Sequence, residues 1–131
     1  EAEYMTLARR KTGALFRASA ELGAVAGGAD TETVAAFGEY AERVGVAFQI
    51  RDDVLDATAS AADLGKPAGQ DETMDRPSLI QITDLMPAEG DQRAREQSDL
   101  ALEALDAVDL PETDAVAYLR DLAEFVVVRE R

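Results

Sequence analysis

The sequence contains no cysteine and no histidine, and only two lysines, Lys11 and Lys66. Without cysteine there is no disulfide framework and no thiolate chemistry. Without histidine, the His-dependent zinc motifs and a histidine-centred catalytic triad are excluded. No apolar stretch reaches the roughly 18 residues that a membrane span needs, and no signal peptide opens the chain, so cytoplasm is the expected location. Basic residues are scarce altogether, 13 against 27 acidic ones, for a formal charge of −14. Binding to a phosphate backbone needs clustered Lys and Arg, and the one dense basic run is Arg9-Arg10-Lys11. Nucleic acid is therefore not an expected partner. A small polyphosphate bridged by Mg²⁺ suits the acidic balance better.

Charge this far from zero keeps a protein soluble while its acidic groups repel one another. Salt shortens that repulsion to a reach of about 3 Å at 1 M. Acid enrichment, near absence of lysine and abundant alanine match adaptation to a salt-rich cytoplasm, as in halophilic archaea. An ordinary acidic protein is the alternative.

The length suits one domain. Apolar periodicity predicts a helix over about 3–26, with Tyr4, Leu7, Lys11, Leu15, Ala18 and Leu22 stepping down one side and Gly27-Gly28 ending it. Asp30 or Thr31 can cap a second helix over 31–57, and Glu32 suits its positive end. Gly65, Pro67, Gly69 and Pro77 interrupt the pattern, giving a long loop over 58–77. Ser78 can cap a short helix over 78–86. Pro87-Ala88-Glu89-Gly90 then separates it from a helix over 91–108, and Asp109 with Pro111 opens a last one over 111–129. The run Val126-Val127-Val128 sits inside a helical pattern and is not read as a strand. The fold class is all-α. The chain opens without Met directly on helical periodicity, as in a piece of a larger protein or the product of processing, and a bundle of this size is expected to need more chain or a partner.

Within the second helix, an apolar seam runs through Val34, Phe37, Ala41, Val44 and Phe48. Beside it runs a stripe of Gly38, Gly45, Gln49, Asp52 and Asp56, small residues first and polar ones after. Asp52 and Asp56 share a helix face, while Asp53 points about 100° away. Carboxylates beside a core are costly unless a cation compensates them. A cluster of them on a rigid helix suits a hard cation, Mg²⁺ above all when phosphate completes its shell. In so acidic a chain, a solvated helix face is the competing explanation. Lys11, on the inward stripe of its helix, needs a counter-ion; snorkelling or a bridge to a carboxylate such as Asp52 is its plainer account. Yet lysine is replaced almost everywhere else, and a rotatable ammonium suits phosphate differently from a planar guanidinium.

The run Phe48-Gln49-Ile50-Arg51-Asp52-Asp53-Val54-Leu55-Asp56 resembles the Phe-Gln and second aspartate-rich motif of the trans-isoprenyl diphosphate synthases, the polyprenyl synthetase family. Lys11-Thr12 with Leu15-Phe16 resembles that family's Lys-Thr element. Leu64-Gly65-Lys66-Pro67-Ala68-Gly69-Gln70-Asp71 is similar to its Gly-Lys…Gly…Asp loop, and Arg76-Pro77-Ser78-Leu79 to the segment opening the next helix. Leu119 to Arg131 resembles its terminal helix. The order and spacing extend over essentially the whole chain and correspond to the C-terminal half of an isoprenoid synthase (terpenoid synthase) type helical bundle.

The resemblance implies a Mg²⁺-dependent prenyltransferase that joins an allylic diphosphate to isopentenyl diphosphate. Asp52, Asp53 and Asp56 would then be metal ligands, with Asp52 leading. Lys11, Gln49 and Lys66 would contact the allylic diphosphate, and Thr12 and Gln49 would line the path of the cation. Asp71 is a further metal-side candidate, with an Asx-turn as its plain alternative. Arg51 is expected to pair with neighbouring acids, Arg76 to tie the loop down, and Phe48 to hold the motif in register. Arg129 and Arg131 either cover the isopentenyl diphosphate site or fray with the terminus. The first aspartate-rich motif and the basic and histidine residues for isopentenyl diphosphate have no counterpart here. The resemblance therefore implies half a site, completed by an N-terminal half, in a homodimer. A C20 geranylgeranyl product is favoured, on the inferred archaeal source alone. A non-catalytic subunit of such a synthase and another class I terpenoid enzyme are the alternatives. The two long helices are expected to pack antiparallel, with Lys11 and Asp52 directed at one cavity.

Overall fold

The computed structural model describes residues 2–62 and 87–128, with side chains over 2–57 and 88–128. Every ordered element among them is helical. Helix α1 (Ala2–Ala8) passes through a π-helical turn (Arg9–Gly13) into α2 (Ala14–Ala26); α3 (Thr31–Ala62), α4 (Pro87–Asp106) and α5 (Asp114–Val128) come after it. Gly28, at φ 82°, takes the left-handed conformation that ends α2. The Asp30 carboxylate accepts from the Thr33 backbone N–H at 2.8 Å and caps α3, and the Thr33 hydroxyl together with this N–H draws the Asp30 carboxyl below the usual range.

Helix α3 contacts every other described helical segment. Its contacts with the first helical pair run in opposite senses. Tyr4 meets Asp53, Thr12 meets Gln49, and Glu21 lies against Gly38, so the two rods are antiparallel. α4 lies antiparallel to α3 as well, with Arg51 paired to Asp91 and Arg43 donating to Gln97 Oε1 at 3.2 Å. α5 returns along α4: Ser98 Oγ donates to the Ala123 carbonyl at 2.7 Å and Arg120 pairs with Asp106. The core between these helices contains Tyr4, Val44, Val46, Ile50, Val54, Leu105 and Val126, among others. Ala47, Ala94, Ala101 and Ala123 are all fully buried, so small side chains let the helices approach closely.

Several boundaries differ from those the periodicity predicts. α3 continues through 58–62, because Ala59, Ala61 and Ala62 sustain a helix after the apolar pattern has ended. The expected separator Pro87-Ala88-Glu89-Gly90 is the first turn of α4 instead. Pro is pre-organised for that position, and Glu89 faces the positive helix end. α5 begins at Asp114, after Thr113, whose hydroxyl accepts from the Val116 N–H at 3.2 Å. The expected short helix over 78–86 and the loop from 63 onward lie outside the described residues.

The π turn explains the largest difference. Before it the buried residues are Tyr4 and Ala8, and the next buried position is Gly13, five residues on. Leu7 is exposed already before the turn, and an uninterrupted α-helix would have carried Tyr4, Ala8, Lys11, Leu15 and Leu22 down one side. The extra residue in the turn rotates α2 about its axis, so Phe16, Ala20 and Ala24 face α3. Lys11 is exposed rather than inward, as are Leu15 at 67% and Leu22 at 71% of their surface. Among the described residues no helix is long and apolar enough to cross a membrane.

Candidate functional site

The two rods come backbone to backbone at two glycines. A Cβ on Gly45 would stand 3.0 Å from Gly13 Cα and 3.1 Å from Phe16 Cγ. That contact sets Thr12, on the π turn, against Gln49, one helical turn beyond Gly45. The Thr12 hydroxyl donates to Gln49 Oε1 at 2.8 Å. Gln49 Nε2 in turn donates to Asp53 Oδ1 at 3.2 Å, and the Tyr4 hydroxyl donates to Asp53 Oδ2. A hydrogen-bonded line thus runs from the π turn through α3 to the start of α1. Phe16 and Phe48, with ring centroids 6.1 Å apart, flank it.

Asp53 and Tyr4 are both almost wholly buried, at 3% and 2% exposure. A carboxylate at that depth is tolerated only where donors meet its oxygens, and each oxygen here has one. Periodicity predicts Asp53 turned off the Asp52–Asp56 face, and it is. Its oxygens accept from Tyr4 and Gln49. Asp52 and Asp56 are half-buried on a common face of α3. Arg51 pairs with Asp91 of α4, which anchors the motif to the next helix.

Of the residues predicted for the site, Thr12, Gln49 and Asp53 are brought into direct contact. Asp52 and Asp56 stand one turn apart beside them. Lys11 stands exposed next to Thr12. Lys66, Asp71 and Arg76 lie outside the described residues. The participant that sequence reasoning misses is Tyr4, which periodicity reads as one more apolar position. Its hydroxyl is the available signal, since a buried tyrosine needs a partner and Asp53 is the acid of the motif turned toward the core.

Among the described residues, no three or more of His, Cys, Asp and Glu are grouped to hold a metal ion. Two hard carboxylates on one helix face do not make an all-protein cage. They fit Mg²⁺, which keeps several waters and takes one or two carboxylates together with substrate phosphates. The donor set is compatible with that ion on those terms, through Asp52 and Asp56.

Over 93 residues the chain is 42% identical to the short chain isoprenyl diphosphate synthase of Methanocaldococcus jannaschii, covering 71% of this chain and 28% of that protein. It is 35% identical over 124 residues to the farnesyl diphosphate synthase of Escherichia coli, covering 94% of this chain and 40% of that one. The geranylgeranyl pyrophosphate synthetase from the archaeon Geoglobus acetivorans shares its fold with a TM-score of 0.79 at 29% identity, over 98% of this chain and 47% of that chain. The decaprenyl diphosphate synthase from Rhodobacter capsulatus does so at 0.74 and 30%, over 97% and 50%. The chain thus spans half or less of the length of these relatives, and its all-α bundle is of the isoprenoid synthase type. Because the polyprenyl synthetase family matches residues 1–112, most of its length and all of the site described above, the chain belongs to that family.

Proposed function

We propose that this segment supplies the second aspartate-rich half of a Mg²⁺-dependent prenyltransferase site, which condenses an allylic diphosphate with isopentenyl diphosphate. The observation that carries the reading is the contact of Thr12 with Gln49, which joins the Lys-Thr element of one helix to the aspartate motif of another. In the reaction the allylic C–O bond breaks and negative charge gathers on the departing diphosphate. The double bond of isopentenyl diphosphate attacks the allylic cation, and a proton is lost. When bound, Mg²⁺ supplies positive charge to the leaving diphosphate. Asp52 and Asp56 would hold that ion. Lys11, exposed and next to Thr12 in the chain, and Lys66 would bind the same phosphates. Thr12 and Gln49 line the adjoining path with their dipoles.

The complementary half is the remainder of the family's length, beyond the part this chain matches. Leu15, Leu22 and Val25, all exposed on α2, offer apolar surface for that region to cover. The decisive assay gives the complete protein Mg²⁺, labelled isopentenyl diphosphate and dimethylallyl, geranyl or farnesyl diphosphate, at high salt. A geranylgeranyl product that disappears on chelation is expected, and negligible product from this segment alone. Robust turnover by the segment alone would overturn the half-site reading. No product from the folded complete protein with any of the three would favour a non-catalytic subunit.

A further inference from the structure

We infer that Tyr4 is a positioning residue for the prenyl-transfer site, acting through Asp53 on Gln49 and Thr12; this rests on the function proposed above. Tyr4 lies outside every motif that carries the family resemblance, yet its hydroxyl reaches across to α3 and donates to Asp53 Oδ2. Both residues are almost completely buried, so the contact is shielded from competing water. The other Asp53 oxygen accepts from Gln49 Nε2. That fixes which end of the Gln49 amide faces Asp53, and leaves Oε1 to accept from the Thr12 hydroxyl. The direction of donation is therefore set along the whole line, from Tyr4 to Asp53 and from Thr12 through Gln49 to the same carboxylate. With the Tyr4 hydroxyl removed, Asp53 Oδ2 loses this donor in a buried place, and the carboxylate is held less firmly in its orientation. Gln49 then faces a less firmly oriented acceptor, and Thr12 a less firmly fixed partner. The π turn belongs to the same arrangement, since its extra residue rotates Gly13 toward α3 while Tyr4 and Ala8 keep facing it.

The test is Tyr4→Phe in the complete protein, alone and combined with Asp53→Asn. A hydrogen bond to a charged group in a buried site corresponds to about ten- to a hundredfold in rate. A loss of that size in kcat is expected for Tyr4→Phe, with the KM for isopentenyl diphosphate unchanged. In the Asp53→Asn background the same substitution should cost little more, because the two act as one unit. An independent readout is the Gln49 side-chain amide in a ¹⁵N spectrum, assigned by its loss in Gln49→Glu. Its two protons should exchange faster with water in Tyr4→Phe. Where the variant is partly unfolded, kcat per folded molecule is the quantity compared. Wild-type kcat per folded molecule, or losses that multiply in the double variant, would overturn the inference while leaving prenyl transfer intact. An inactive wild type would instead overturn the function itself, and the amide exchange would then decide whether Tyr4 orders Gln49.

Discussion

Gly45 lies so close to Gly13 that a Cβ on the former would stand 3.0 Å from the Cα of the latter, with the Thr12 carbonyl oxygen only 3.2 Å away. Backbone therefore faces backbone where the two long rods cross, and a side chain could be fitted only by moving a helix. Gly38 is the informative contrast. Its Cβ would meet the Glu21 carboxylate at 2.7 Å, but that is the end of a flexible side chain. At Gly23 a Cβ would meet nothing within 4 Å.

Gly45→Ala should accordingly destabilise the fold by about 1–3 kcal/mol, since overpacking outweighs the helix propensity that alanine gains. It should also lengthen the Thr12–Gln49 contact, and so lower turnover of the complete protein. Gly23→Ala should be neutral or stabilise by up to about 1 kcal/mol. Gly38→Ala should fall between them, with Glu21 swinging aside. Urea unfolding of the three variants checks the order. A Gly45→Ala variant as stable as Gly23→Ala would contradict the close crossing.

The half-buried Asp52 and the exposed Asp99 separate electrostatic function from mere acidity. In the complete protein, Asp52→Asn should leave the helical content unchanged and reduce kcat by about 10²–10³, the usual cost of removing one electrostatic contact to a transition state. Asp99→Asn, on the outward side of α4, should change kcat by less than about twofold. Equal effects at the two positions would return the aspartate motif to an acidic surface.

Much of this arrangement is legible in the sequence, because it derives from residue pattern. The seam from Val34 to Phe48, the cap at Asp30 and the stop at Gly27-Gly28 give α3 and the end of α2. The glycines beside that seam foretell a close-packed face, and the spacing of the acids foretells that Asp53 turns away from Asp52 and Asp56. The illegible part depends on contacts between helices. Periodicity assumes an unbroken turn of 3.6 residues, so a π turn at Arg9–Gly13 shifts every later residue, and Lys11 moves from the inward stripe to the surface. The beginning of α4 is obscured for a different reason, since Pro and Gly punctuate loops and first helical turns alike. Tyr4 is hidden because its partner lies 49 residues away.

Tyr40 gives a pH signature for the packing of α3 on α5. Its hydroxyl donates to the Leu119 carbonyl at 2.6 Å, and burial pushes its ionisation up to about 12. The folded value lies above the unfolded one, so the contribution to stability is fully present below pH about 10 and is lost as pH rises toward about 12. Tyr40→Phe should cost about 0.5–1.5 kcal/mol at neutral pH. The advantage of the wild type over this variant should then shrink steadily above pH about 10. Urea midpoints of both proteins across pH 7 to about 11.5 read this difference directly. A constant difference across that range would mean that Tyr40 is open to solvent.

Salt should act on this chain through the acids that stand clear of any described cation. The formal charge is −14, and Asp99, Glu103, Asp121 and Glu124 are exposed on α4 and α5. Arg17 bridges Glu21, Glu39 and Glu42, and Arg43 pairs with Glu39, so the junction of α2 and α3 is already partly neutralised. Pairs of that kind near the surface contribute only about 0–1 kcal/mol each. They cannot offset repulsion spread over the whole molecule. Raising NaCl from about 0.1 to about 1 M shortens the screening length from about 10 Å to about 3 Å. The urea midpoint should rise across that range. Replacing Asp99, Glu103 and Glu124 together by lysine should raise the low-salt midpoint and flatten its dependence on NaCl, while leaving the high-salt midpoint nearly unchanged. If the triple variant kept the full salt dependence of the wild type, repulsion among surface acids would not be its cause, and stabilisation by salt would have to come from stronger apolar burial instead.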